Sequence, residues 1–114
     1  DTTTGVVSNN DDLYMKLEEA SKLSGEQVWR LPNFKEYRDQ LNSDVADIKN
    51  ISKNAGTICG GLFVADFVQN RPWLHLDIAG TAWSSKDHDY NSQGGTGVGV
   101  RLLYNLFKIM SVNK

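Results

Sequence analysis

Two residues in the stretch Trp73-Leu74-His75-Leu76-Asp77-Ile78-Ala79-Gly80-Thr81-Ala82-Trp83 can move protons: His75 and Asp77. Side chains alternate along an extended chain, so these two share a face with Trp73 and Ala79. Leu74, Leu76 and Ile78 share the other face. A histidine and a carboxylate side by side can act as a general base and its orienter. The same pair can equally form a satisfied buried polar network, which is the commoner arrangement. Gly80 breaks the strand where loops tend to build sites in open α/β sheets. The residue types therefore mark a structural centre and a pocket edge, but no reaction.

The other candidates are weaker. Asp87-His88-Asp89 offers oxygen and nitrogen ligands within one loop. Metal sites draw their ligands from several elements with fixed supporting shells, so three adjacent residues predict a solvated loop tip. Gly94-Gly95-Thr96-Gly97-Val98-Gly99 precedes a helix but lacks the Gly-Lys-Ser/Thr of a phosphate loop, so its glycines read as turn formers with Thr96 as a helix cap. Cys59 lies in an apolar segment without a nearby cation, which predicts an inert thiol. Ser84 and Ser85 lack the strained Gly-x-Ser-x-Gly setting of a hydrolase nucleophile.

The elements that must position these residues can be read in order. Thr2 to Ser8 is a short Thr- and Val-rich strand. Asn9-Asn10-Asp11-Asp12 supplies a cap and first-turn acids to a helix with Leu13, Leu17 and Ala20 on one face and Gly25 as its stop. Val28 to Leu31 is extended up to Pro32. Phe34, Tyr37 and Leu41 mark a short amphipathic helix, and Val45 to Ile51 forms an irregular connector. Ala55 to Val68 predicts a helix in which Gly56 and Gly60 leave one face nearly bare, for tight packing or ligand approach. Trp73 to Ala79 predicts a strand with both faces covered, inside a sheet. The polar stretch 84–95 is a loop. The last helix, with Val98, Leu102, Leu103, Leu106, Phe107 and Met110 and a single wet stripe of Arg101, Asn105 and Lys108, predicts a mostly buried helix on the sheet.

Strands alternating with helices imply a parallel or mixed sheet between helical layers. So few strands do not complete such a sheet. The expected fold is α/β: the C-terminal portion of a three-layer α/β/α domain with a mixed sheet, incomplete on its own. The chain opens on Asp1 rather than Met, which agrees with a piece of a longer protein. Its 114 residues carry 12 Lys and Arg against 14 Asp and Glu, a net charge of −2 that gives no nucleic-acid footprint. The apolar runs are too short to span a membrane. No leader opens the chain, and the single cysteine suits a reducing cytoplasm.

Trp73 to Trp83 resembles a C-terminal signature of the leucyl (cytosol) aminopeptidases, which are two-metal peptidases. The resemblance continues through Gly25-Glu26-Gln27-Val28-Trp29-Arg30-Leu31-Pro32, Asp44-Val45-Ala46-Asp47-Ile48-Lys49-Asn50-Ile51, Ala55-Gly56-Thr57-Ile58 and Gly95-Thr96-Gly97-Val98-Gly99-Val100-Arg101. The blocks follow the family's order from about Thr4 to Phe107, so residues 1–114 are identified as a C-terminal fragment of a catalytic domain of this kind. Ser52 departs from the family's common Gly, and Asn33 from a common apolar residue.

The resemblance implies a parent enzyme that removes N-terminal, preferably apolar and leucine-like, residues from peptides with two divalent metals, Mn or Zn. The family's metal-binding Asn-Thr-Asp-Ala-Glu-Gly-Arg run does not occur here. No cofactor and no activity are therefore expected of the fragment alone, and none of its residues is assigned a catalytic or metal role. Ala79 and Ala82 match positions beside the substrate's first side chain, and Ile51 matches one beside the second. The implied partners are a peptide substrate, the missing N-terminal part of the enzyme and further copies in a hexamer, with no nucleic acid or membrane. The implied location is cytoplasmic. The rival is a non-enzymatic remnant that binds peptides or partner subunits.

Overall fold

The computed structural model describes residues 2–112. Strand β1 (Thr4–Ser8) lies between β2 (Val28–Arg30), which runs parallel to it, and β3 (Leu74–Asp77), which runs antiparallel. The register sets Gly5 opposite Asp77, Val6 opposite Leu76 and Val7 opposite His75.

The middle of the sheet is thus β1, not the Trp73–Trp83 stretch. Among the described residues β3 has a strand on one side only. The physical reason is burial on both faces of β1, where Val6 and Val7 are each 0% exposed. The residues of β3 are only partly buried.

One face of the sheet is covered by α1 (Asp11–Ser24) and α4 (Val100–Val112), which pack on each other. Val6, Leu17, Ala20, Leu102 and Leu106 form the core there, with Leu74 and Leu76 against it. Burying a leucine fully is worth about 1.5–3 kcal/mol, so this cluster dominates the adhesion of the two helices. Helix α1 begins as its sequence dictates. Asn10 accepts the Leu13 N–H at 2.8 Å, and Gly25 closes the helix at φ 74°, a conformation that glycine adopts without strain.

The other face carries α3 (Gly56–Ala65), shorter than the predicted 55–68 helix. The glycine that brings it close to the sheet is Gly61, not Gly56 or Gly60. A Cβ on Gly61 would lie 3.0 Å from Val7 Cβ and 3.2 Å from His75 Cδ2. Gly56 and Gly60 are exposed; an added Cβ would meet nothing within 4 Å at Gly56 and only His75 Nε2, at 3.9 Å, at Gly60. Leu41, Ile58, Cys59 and Leu62 make a second core beneath this helix, with Tyr37 of the short α2 (Lys35–Asp39) against it. Residues 42–55 are irregular, a longer stretch than the Val45 to Ile51 connector that the sequence predicts.

Helices on both faces of a mixed sheet make the three-layer α/β architecture, small and incomplete as expected. The prediction for the last helix needs correction. Leu102 and Leu106 are buried, but Leu103, Phe107 and Met110 are 38%, 62% and 39% exposed. An apolar residue on every side of a helix says that burial is favourable, without saying that a partner is at hand. No helix among the described residues is long and apolar enough to cross a membrane.

Candidate functional site

The alternation predicted for β3 holds. Leu74 and Leu76 join the α1/α4 core, while His75 and Asp77 face α3. His75 and Asp77 do not make a base and its orienter. Asp77 Oδ2 instead accepts the Thr57 hydroxyl at 2.5 Å, and Asp77 Oδ1 accepts the Ala79 N–H at 2.9 Å. The Thr57 hydroxyl first, then the Ala79 amide, holds the carboxyl below the usual carboxylate range, with the neighbouring His75 assisting. Asp77 thus has satisfied partners, but they are Thr57 and Ala79 on a half-buried strand end, and no hydrogen bond joins it to His75 as the buried pair would require. The His75 ring lies beside Gly60 and Gly61, its Nε2 and Cδ2 3.9 Å and 3.2 Å from where their Cβ atoms would stand.

Beyond Asp77 the chain turns, and the turn is fixed from several sides. Ile78 C=O accepts the N–H groups of Thr81 at 3.0 Å and Ala82 at 2.8 Å. The Thr81 hydroxyl lies 3.2 Å from that of Thr4 on β1, and the Thr96 hydroxyl donates to Thr81 C=O at 2.7 Å. The Thr96 N–H donates to Ala82 C=O at 3.0 Å. Strand β4 (Trp83–Ser84) then pairs antiparallel with β5 (Gly94–Gly95), so the 84–95 segment is a small hairpin and not only a loop. Ala79 is exposed and Ala82 half-buried on this turn.

Thr96 does not cap α4 as predicted. Its hydroxyl accepts the Val98 N–H at 3.2 Å, ahead of the helix. The cap comes from Glu26, only 8% exposed, whose Oε2 accepts the N–H groups of Gly99 at 2.9 Å and Leu102 at 3.0 Å. A carboxylate at a helix N-terminus satisfies orphan donors and meets the positive end of the helix dipole. Arg101 lies 3.5 Å from Glu26 Oε1, and its guanidinium also donates to the Tyr90 hydroxyl at 3.1 Å. These contacts, Tyr90 foremost, raise the Arg101 pKa further.

A cleft of about 530 Å³ opens beside this network, lined by Thr4, Glu26, Thr81, Trp83, Tyr90 and Arg101 among others. Ala79 and Ala82 do not line it. Ile51, 75% exposed, lines a smaller recess of about 160 Å³ with Gly56 and Gly60 of α3. The first turn of α3 therefore borders the Ile51 recess through Gly56 and, through Thr57, reaches Asp77, which in turn holds the Ala79 amide.

The Asp87-His88-Asp89 triplet is a solvated tip. His88 Nδ1 pairs with Asp89 Oδ2 at 2.7 Å, and Asp87 Oδ1 accepts the Gln93 N–H at 2.9 Å, all on exposed side chains. Among the described residues no three His, Cys, Asp or Glu side chains gather as a metal site. The donor set of the described residues does not fit a metal pair. Cys59 is buried, with its sulfur near the carbonyls of Tyr37 and Asn54. Glu26 and Thr57 were not recognisable as site residues from pattern alone. Both lie inside the blocks that carry the resemblance, and that was their only signal.

Comparison with known proteins accounts for those blocks. Over 111 residues the chain is 53% identical to the probable cytosol aminopeptidase of Alkaliphilus metalliredigens (strain QYMF), covering 96% of this chain and 22% of that protein. It is 55% identical over 104 residues to the probable cytosol aminopeptidase of Clostridium perfringens (strain 13 / Type A), covering 90% and 21%. Against that of Nostoc punctiforme (strain ATCC 29133 / PCC 73102) it is 43% identical over 106 residues, covering 92% and 22%. The chain thus spans about a fifth of the length of the curated relatives it matches. Residues 1–104 match the profile of the cytosol aminopeptidase family, catalytic domain, and the chain belongs to that family.

Proposed function

We propose that this chain is the pocket-wall portion of an aminopeptidase that removes apolar, leucine-like residues from peptide N-termini. The whole enzyme works in the cytoplasm, as the names of the relatives suggest, and assembles as a hexamer. It uses two divalent metals, Mn or Zn, held by residues outside this chain. Bound there, such a pair would provide Lewis-acid activation of water and charge stabilisation. What these residues supply is shape, through Ala79 and Ala82 for the first substrate side chain and Ile51 for the second.

The observation that carries this reading is the turn at 78–82. It presents a small exposed side chain, Ala79, on a backbone held by Asp77, Thr81 and Thr96. A pocket wall needs that combination of rigidity and room. Thr57 ties the turn to α3 through Asp77, and Gly56 of the same helix borders the Ile51 recess.

Ala79→Leu in the full-length enzyme tests it. The added bulk occupies the space of the substrate side chain, and overpacking of this kind costs about 1–3 kcal/mol. The kcat/KM for leucyl substrates should fall about tenfold or more, with alanyl and glycyl substrates much less affected. Equal losses on all substrates, or none, would remove Ala79 from the pocket. The 114-residue chain by itself should bind no catalytic metal pair and hydrolyse no leucyl amide. Two tight sites in a Mn²⁺ or Zn²⁺ titration, with turnover, would refute that.

A further inference from the structure

We propose that Thr57 is a positioning residue for substrate selection: its hydroxyl orients Asp77, which fixes the Ala79 amide and thereby the wall the substrate side chain meets. This rests on the reading of Ala79 as pocket wall given above.

The geometry that points to it is a relay across two layers. Thr57 stands in the first turn of α3, and its hydroxyl donates to Asp77 Oδ2 at the end of β3. The other oxygen, Oδ1, receives the Ala79 N–H two residues further on. An aspartate that bonds a backbone N–H two residues ahead closes an Asx turn and sets the direction of the chain. A carboxylate free to rotate could hold that amide in several ways, but one clamped on its second oxygen cannot. The first turn of α3 also favours a negative partner, because the helix dipole is positive there.

The sheet makes room for the clamp. Gly5 is the register partner of Asp77, and a Cβ on Gly5 would lie 3.1 Å from Thr57 Cγ2 and 3.2 Å from Leu31 Cδ1. The threonine methyl therefore rests over bare backbone, and its hydroxyl is left aimed at the carboxylate. Thr57 need not touch substrate. It acts through Asp77, so its loss should alter which side chains are accepted more than whether hydrolysis occurs.

The experiment compares Thr57→Val, Thr57→Ser and Asp77→Asn with Ala79→Leu in the full-length enzyme, reading kcat and KM on leucyl and alanyl substrates. Thr57→Val keeps the shape and removes the hydroxyl, and it should lower the leucyl-to-alanyl ratio of kcat/KM about fivefold to tenfold, chiefly through KM. Thr57→Ser keeps the hydroxyl and should stay within about twofold of the parent. Asp77→Asn, close in shape to the carboxylate, should shift the ratio in the direction of Thr57→Val. A Thr57→Val enzyme with an unchanged ratio overturns the proposal, whether its activity is high or uniformly reduced. So does a serine variant as impaired as the valine one, since packing of the methyl would then be responsible. If Ala79→Leu discriminates between substrates and Thr57→Val does not, only the positioning role fails. If Ala79→Leu has no effect, the pocket reading fails with it.

Discussion

Glu26, just before β2, closes the N-terminus of α4 by accepting the Gly99 and Leu102 amides through one carboxylate oxygen. The two segments are 73 and 76 residues apart in sequence, so this contact holds the end of the chain to its beginning. Removing a cap costs about 0.5–2 kcal/mol, and buried donors left unsatisfied add to that. Glu26→Ala should therefore destabilise the fold by about 2 kcal/mol or more, and Glu26→Gln, which keeps an acceptor, by clearly less. Denaturant midpoints of the two variants decide it. Equal loss would mean that charge, and not the accepted hydrogen bonds, matters.

Two adjacent glycines in α3 should respond in opposite directions. At Gly61 a methyl group would meet Val7 Cβ at 3.0 Å and His75 Cδ2 at 3.2 Å, with sheet backbone behind them. Gly61→Ala should lower stability by about 1–3 kcal/mol, because the helix cannot move off without opening the second core. At Gly60 the nearest atom to an added Cβ is His75 Nε2 at 3.9 Å, an ordinary contact. Gly60→Ala should raise stability by up to about 1 kcal/mol, the gain in helix propensity. Thermal melts of both variants check the pair. A neutral Gly61→Ala would mean that the close approach is not what holds α3 to the sheet.

Much of this fold is legible in the sequence, and the exceptions have a common cause. Helix α1 was readable because Asn10, Leu17, Ala20 and Gly25 act within a few residues of one another. The two faces of β3 were readable because alternation is local. The sheet order was not, since parallel pairing of β1 with β2 and antiparallel pairing with β3 depends on contacts between distant segments. Glu26 reads as one more solvated acid until the fold brings Leu102 to it. In the candidate site, Ala79, Ala82 and Ile51 are legible only through resemblance to a family, and their surroundings only in the folded chain. Thr57 is not legible, because a threonine early in a helix carries no signal without the carboxylate 20 residues further on.

Asp77 makes stability depend on pH in a definite direction. Its folded pKa is lowered by the Thr57 hydroxyl and the Ala79 amide, so folding favours the ionised form. That contribution is complete above the unfolded pKa of about 3.9 and is lost as pH falls through the folded value. Stability measured by denaturant titration should thus decline as pH drops below about 4, and Asp77→Asn should make that decline shallower. At neutral pH the variant should be less stable than the parent. Parallel pH profiles for parent and variant would show that Asp77 takes no part in acid unfolding.

The exposed stripe on α4 predicts how the chain behaves on its own. Leu103, Phe107 and Met110 recur at helical spacing on one side, with Tyr104 beside them 66% exposed. These residues stand apart from Leu102 and Leu106, which face the core. Contiguous apolar surface on a helix is unusual in a stable monomer and marks a face that associates. Among the described residues no strand pairs with the outer edge of β3, which adds open backbone groups next to half-buried leucines. The 114-residue chain should therefore self-associate in solution, with sedimentation or light scattering giving a mass that rises with concentration. Leu103→Lys with Phe107→Lys should shift it towards monomer while leaving the α1/α4 core, and hence the helical circular dichroism, unchanged. A parent chain that stays monomeric at high concentration would contradict this, and so would a double variant that associates as strongly as the parent.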